Sequence, residues 1–295
     1  MRVGYLGPEG TFSEAAARAV YPEGGKQAYP TIPACMDAVS LNEVDVAVVP
    51  LENAIEGSVN MTLDYLIHKQ QLPIIGEVTV PIEQQLLIVP ERADAWENVT
   101  DIYSHPHAIA QCHDFIAAFL PDADIHYTNS TSAAAKEIAD NPDVNGAAIA
   151  NTLAAEKYGL TCARENIHDY DNNHTRFVCV TKNTQAHNLD LEQWDNYKTT
   201  LMVTLPSDFS GALHQVLSAF AWRKLNLTKI ESRPMKTGIG NYFFIIDVEE
   251  AMDTVLLPGV IAELEALGCG VRTLGSYPCF SGADLKETTK SPVSK

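Results

Sequence analysis

The 295 residues include 38 acidic and 20 basic side chains, a formal charge of −18 that argues against a nucleic-acid surface because phosphate binding needs a basic field. Hydrophobic residues make up 46%, yet no apolar run approaches the roughly 20 residues of a membrane span, so a soluble chain of two compact units is expected. Six scattered cysteines without a C-x-x-C pair suit reduced thiols rather than a disulfide framework or zinc site.

The start, "MRVGYLGPEG", enters a strand and turn directly, without the basic and then apolar pattern of a signal peptide, and a cytoplasmic protein is expected. Up to about residue 180 short apolar strands alternate with helical patterns: "RVGYLG" then "SEAAARAVY", "VDVAVVPLE" then "NMTLDYLIHK". That order predicts an α/β unit with largely parallel strands. "PIIGEVTVPIEQQLLIVP" holds two strand-like runs joined by Pro81, where a chain could cross between lobes. Next come a strand at "DIYSH", a helix over about 106–119, a helix over about 132–138, the buried strand "GAAIA" and the strand "RFVCVT". A polar stretch without periodicity reads as a linker at 182–197. The second unit, 198–280, has the order βαββαβ of a ferredoxin-like domain, with "KTGIG" as the turn between its middle strands. The tail 281–295 has too little apolar content to pack and is expected to be disordered.

Four places in the first unit set small polar residues just before a helical pattern. Thr11 and Glu14 have capping-box spacing after Gly7 and Gly10; Ser58 follows Gly57; Pro106 suits the first turn after His105; Ser130 or Thr131 precedes the helix that includes Ser132. Any one of these is only what a helix requires. Converging on one cleft, their unpaired N–H groups and partial positive charge would hold a small anion without a basic surface. His105, His107 and His113 lack metal-ligand spacing, because a helix opening at Pro106 sends residues 105 and 107 in different directions, and no metal or cofactor is expected.

"DYDNNHTRFVCV" turns from polar to apolar within a few residues. Strand alternation puts Asn173, Thr175 and Phe177 on one side and His174 and Arg176 on the other. An amide and a hydroxyl beside an aromatic ring suit a partly dry pocket; the segment alone favours a turn followed by a core strand, with Arg176 in an ion pair.

Taken together, "GYLGPEGTFSEAA", "VVPLENAIEGSVN", "YSHPHAIAQC", "NSTSAAA" and above all "NHTRF" resemble the prephenate dehydratase family, and "GALHQVLSAF" with "NLTKIESRP" resembles its ACT regulatory module. The similarity runs from Val3 to Tyr277, and with no chorismate mutase segment before Val3 it is to the monofunctional form. The resemblance implies a catalytic domain at 1–181 like a type II periplasmic-binding protein, with one lobe at 1–80 and 160–181 and the other at 81–159. It implies conversion of prephenate to phenylpyruvate, water and CO2, with Thr175 as donor to the leaving hydroxyl, Arg176 on a substrate carboxylate and Asn173 as a third catalytic residue. Substrate would be held by Thr11, Ser13, Glu52, Asn53, Ser58, Ser104, His105, Gln111, Ser130, Thr131, Ser132 and Phe177. L-phenylalanine would act as allosteric inhibitor through Gly211, Ala212, Leu213, Glu231, Ser232, Arg233 and Pro234, in a homodimer or homotetramer. Two alternatives stay open: arogenate, with an amino group in place of the keto oxygen, as substrate, and a noncatalytic amino-acid sensor.

Overall fold

The computed structural model describes residues 1–184, 196–207, 209–235, 242–252 and 255–281. Most of the expected linker, the "KTGIG" turn and the tail after Ser281 lie outside the described residues. The chain divides into one unit of Met1–Gln70 with Val78–Val178 and a second of Gln71–Glu77 with Cys179–Phe280.

The first unit holds two α/β lobes. In one, β1 (Arg2–Leu6) lies in parallel between β2 (Gly25–Tyr29) and β3 (Val46–Asn53), and the order continues through β11 (His174–Thr181) to β5 (Ile74–Pro81). A two-residue strand β4 (Gly57–Ser58) folds back on β3. Helices α1 (Phe12–Val20), α2 (Ile32–Ser40) and α3 (Asn60–His68) belong to the same lobe. The run Val46–Val49 is fully buried, which is why β3 reads as continuously apolar rather than alternating.

In the other lobe the order is β10 (Thr161–Arg164), β6 (Gln85–Ile88), β9 (Gly146–Ala150), β7 (Asp101–Ser104), β8 (Asp124–Tyr127). Its core joins Leu86, Leu87, Ile88, Ile102 and Ile149 to Ala134, Ala135 and Ile138 of α6 (Thr131–Asp140), with α7 (Thr152–Tyr158) and a 3₁₀ segment at Pro90–Asn98 alongside. Two expectations change here. The lobe extends past 160, because β10 pairs with β6, and the chain returns only at β11. The helix expected over 106–119 is two, α4 (Pro106–Ala110) and α5 (His113–Phe119), because Cys112 leaves helical geometry and turns its thiol into the core, where burial raises its pKa. Between the lobes the chain crosses twice, side by side: the Ile82 N–H donates to the Asn173 carbonyl at 2.8 Å and the Ile167 N–H to that of Gln84 at 2.9 Å. This double crossing is the two-lobed, binding-protein-like arrangement expected.

The second unit follows the βαββαβ order: β12 (Tyr197–Thr204), α8 (Ala212–Ala221), β13 (Leu227–Pro234), β14 (Tyr242–Val248), α9 (Leu256–Ala266), β15 (Gly270–Ser281), with strands in the antiparallel order β13–β14–β12–β15. Leu201, Val203, Val216, Phe220, Ile246, Leu257, Val260 and Leu264 form its core. Edge strand β13 alternates half-buried and exposed residues, and β14, one place in, is buried along most of its length. Among the described residues no helix is long and apolar enough to cross a membrane.

Gly275 lies where backbone passes close. A Cβ there would sit 2.2 Å from the Ile74 carbonyl oxygen. Gly275→Ala is therefore expected to lower stability by about 1–3 kcal/mol through forced backbone displacement, read as a lower midpoint in urea unfolding.

Candidate active site

Between the lobes of the first unit lies a cleft of about 390 Å³, within the usual range for small-molecule sites. Its lining gathers Thr11, Phe12 and Ser13 at the start of α1, His105, His107, Ala108 and Gln111 around α4, and Asn129, Ser130 and Thr131 at the start of α6. Pro50, Asn53, Glu56, Val59, Ile82, Gln84 and Thr175 complete it, so the N-caps of four helices, Thr11 of α1, Val59 of α3, His105 of α4 and Ser130 of α6, line one cavity whose lining includes no lysine or arginine.

The helix starts are held by local hydrogen bonds. Thr11 caps α1 by accepting the Glu14 N–H at 3.4 Å, and the buried Glu14 carboxylate accepts the Gly10 N–H at 2.6 Å. Ser130 caps α6 by accepting the Ala133 N–H at 3.0 Å. At α4 the cap is His105, whose Nδ1 accepts the His107 N–H at 3.3 Å. Burial, and then the neighbouring His107, lower the His105 pKa against the opposing pull of Glu56, which favours the neutral imidazole this cap requires.

A chain of carboxamides runs behind the cleft from Asn53 through Asn173 to Gln111, and its polarity follows from one turn. Asn53 Oδ1 accepts the backbone N–H groups of Ile55 and Glu56, both at 2.9 Å, which leaves Nδ2 as donor. That Nδ2 donates to Asn173 Oδ1 at 2.9 Å and to Thr175 Oγ1 at 2.9 Å. Asn173 in turn donates through Nδ2 to Gln111 Oε1 at 3.1 Å, so Gln111 keeps its NH2 group for the cleft. Thr175 Oγ1, already accepting from Asn53, keeps its own proton to donate.

Several expected site residues lie elsewhere. Arg176 is on the opposite face of β11 from Thr175, as alternation predicts, and does not line the cleft; its guanidinium meets Glu52 Oε2 at 2.6 Å, which occupies both residues in an ion pair. Ser58 pairs with Glu52 across the β3–β4 hairpin, and Val59, not Ser58, is the N-cap of α3. Ser104 is fully buried and donates to the Ile149 carbonyl at 2.6 Å, tying β7 to β9. Ser132 donates to the Glu9 carbonyl, which also accepts from Tyr158, so it clasps one lobe to the other. Phe177 is 2% exposed and belongs to the core, leaving the apolar walls to Phe12, Pro50, Val59, Ile82 and Ala108. Asn173 is buried behind the cleft, hydrogen-bonded to Asn53 and Gln111.

Phe12, Pro50, Glu56, Val59, Ile82, Gln84, His107, Ala108 and Asn129 line the cleft without having been singled out as site residues. A signal existed for Ile82 and Gln84, since they follow Pro81 in the segment read as a lobe crossing. In the second unit Gly211 is the N-cap of α8 with φ 94°, Ala212 is buried and Leu213 exposed, and Glu231 on β13 pairs with Arg233 at 2.9 Å and Lys229 at 3.2 Å.

The family profile described as "Prephenate dehydratase" matches residues 3–185, and that for the "ACT domain" matches residues 199–268. The prephenate dehydratase of Bacillus subtilis (strain 168) is 55% identical over 283 residues, covering 95% of this chain and 99% of that protein. That of Lactococcus lactis subsp. cremoris (strain MG1363) is 42% identical over 282 residues, covering 95% and 99%. A crystal structure of prephenate dehydratase from Arthrobacter aurescens in complex with L-Phe superimposes with a TM-score of 0.83 at 34% identity, covering 100% of this chain and 92% of that one. The chain therefore belongs to the prephenate dehydratase family, with an ACT domain following its catalytic unit.

Proposed function

We propose that the cleft binds prephenate and converts it to phenylpyruvate, CO2 and water, the reaction of its family. The C–C bond to the ring carboxylate breaks, its electrons move into the ring, the C–O bond to the ring hydroxyl breaks, and a proton joins the departing hydroxide to make water. Aromaticity of the product supplies the driving force. The observation that carries the reading is the Asn53–Thr175 hydrogen bond. It occupies the acceptor side of Oγ1 and directs the hydroxyl proton toward a group in the cleft, where it stabilises charge growing on the leaving oxygen. An aliphatic hydroxyl is too weak an acid to protonate that oxygen alone, so Thr175 serves as preorganised donor while the proton is delivered by relay from water.

The two carboxylates of the dianion fall to the starts of α1 and α6, with the Ser13 and Thr131 hydroxyls and the Gln111 NH2 beside them. Phe12, Val59 and Ile82 keep water from the carboxylate that leaves as CO2. Purified protein given prephenate is expected to release phenylpyruvate, read by its absorbance in alkali. No phenylpyruvate under conditions where the folded protein binds prephenate would overturn the reading and favour a sensor.

Phenylalanine is assigned to the second unit as inhibitor, in a chain assembled as a homodimer or homotetramer. Support comes from the L-Phe complex of the Arthrobacter aurescens relative and from the start of α8, where the N-cap Gly211 has no side chain to cap the helix; the Ala212 N–H donates to the Phe209 carbonyl at 3.1 Å, and the next N–H groups of the first turn are offered to an amino acid's carboxylate. Glu231, Ser232, Arg233 and Pro234, at the end of β13, would close over the ligand. Gly211→Val, strained at φ 94°, is expected to abolish phenylalanine binding in calorimetry and leave uninhibited turnover near that of the parent. Equal inhibition of the variant and the parent would place the sensor elsewhere.

A further inference from the structure

Gln84 sits in the first crossing between the lobes, with its backbone held on both sides. Its N–H donates to His168 Nδ1 at 3.3 Å and its carbonyl accepts the Ile167 N–H at 2.9 Å. The side chain is 2% exposed and lines the cleft, yet among the described residues its carboxamide makes no hydrogen bond, and Oε1 is fully buried without a partner. Its neighbour Gln85 shows what a structural glutamine does in this segment: Gln85 Oε1 accepts the Asn166 N–H at 2.6 Å. Oε1 is the buried orphan and Nε2 is not fully buried, so among the described residues no protein partner holds the NH2 group, which is open to a ligand in the cleft.

Position along the crossing says which part of the ligand. Ile82 is tied to Asn173, two residues from Thr175, whereas Gln84 is tied to Ile167 and His168, so the segment leads away from Thr175. With the leaving hydroxyl at Thr175 and the ring against Ile82, Gln84 falls at the pyruvyl end. Prephenate offers only acceptors there, a keto oxygen and a carboxylate. With Oε1 turned inward, the NH2 group is the end of the carboxamide left for the cleft.

We propose that Gln84 is a substrate-contact residue that donates a carboxamide N–H to the keto oxygen of prephenate and thereby sets the preference for prephenate over arogenate, whose ammonium group cannot accept that bond. The inference rests on the reading of the cleft as a prephenate site. Gln84→Leu removes the donor at similar volume, and Gln84→Glu replaces it with an anionic acceptor suited to an ammonium.

The test measures kcat/KM for both substrates on the parent and both variants, with arogenate measured as a competitive inhibitor where it does not turn over. The prephenate-to-arogenate ratio is expected to fall about tenfold in Gln84→Leu and on the order of 100-fold in Gln84→Glu. A packing defect would lower both substrates together and leave the ratio unmoved, so an unchanged ratio in either variant overturns the assignment whatever happens to total activity. The parent separates the two readings: failure to convert prephenate removes the reaction itself, whereas conversion with an unmoved ratio removes only the role of Gln84.

Discussion

Thr175→Ala is expected to bind prephenate nearly as well as the parent and to turn it over on the order of 10²–10³-fold more slowly. Oγ1 accepts from Asn53, and the remaining proton faces a cleft in which charge grows on an oxygen only as the C–O bond breaks. A contact that strengthens along the reaction lowers the barrier without tightening the ground-state complex, so its loss appears in kcat. The side chain is 8% exposed and small, so truncation leaves little cavity and the fold should survive, which a thermal melt would check. Steady-state phenylpyruvate formation gives both constants. Near-normal kcat with a raised KM would make Thr175 an anchor for substrate rather than a donor to the leaving group.

Asn53→Ala should cost kcat about 10²-fold, approaching the loss expected for Thr175 itself, because Asn53 is what aims the donor. Its Oδ1 holds two backbone N–H groups and its Nδ2 reaches Asn173, the His174 carbonyl and Thr175. Without it the Thr175 hydroxyl can rotate to give its proton to a neighbour, and the Asn173–Gln111 pair loses its fixed polarity. Loss of the turn acceptor should also lower stability by about 0.5–2 kcal/mol, as for a helix cap. A double mutant separates the two effects. If Asn53 acts through Thr175, adding Asn53→Ala to Thr175→Ala should lower kcat little further while the loss of stability remains; full additivity in kcat would show that Asn53 works independently.

The parts of this site that were legible in the sequence are those governed by local geometry. A hydroxyl one residue before a helical pattern predicts a cap, and Thr11 and Ser130 are caps for that reason, while Pro106 marks the first turn of α4 and leaves His105 at its N-cap. Ser58 fails the same rule because a positive φ at Gly57 folds it into a short strand against β3, a pairing that helical periodicity does not report. Strand parity separated Thr175 from Arg176, which meets Glu52 at 2.6 Å on the other face of β11.

What the sequence determined by itself is the set of elements: the α/β alternation, the βαββαβ unit, the helix starts and the faces of β11, all of which follow from periods of 3.6 and 2 and from turn chemistry within a few residues. What only the tertiary structure decided is which of those residues share a volume. Ser132 and Phe177 have the right chemistry and local position for the cleft, but one clasps Glu9 from the opposite lobe and the other fills the core. Gln84 and Phe12, with less to mark them, line the cleft because the chain crosses between the lobes beside one and starts α1 at the other. Orientation along a strand or helix repeats every few residues and can be read locally, whereas convergence depends on contacts such as Asn53 with Thr175, 122 residues apart, and these are set by the packing of whole lobes.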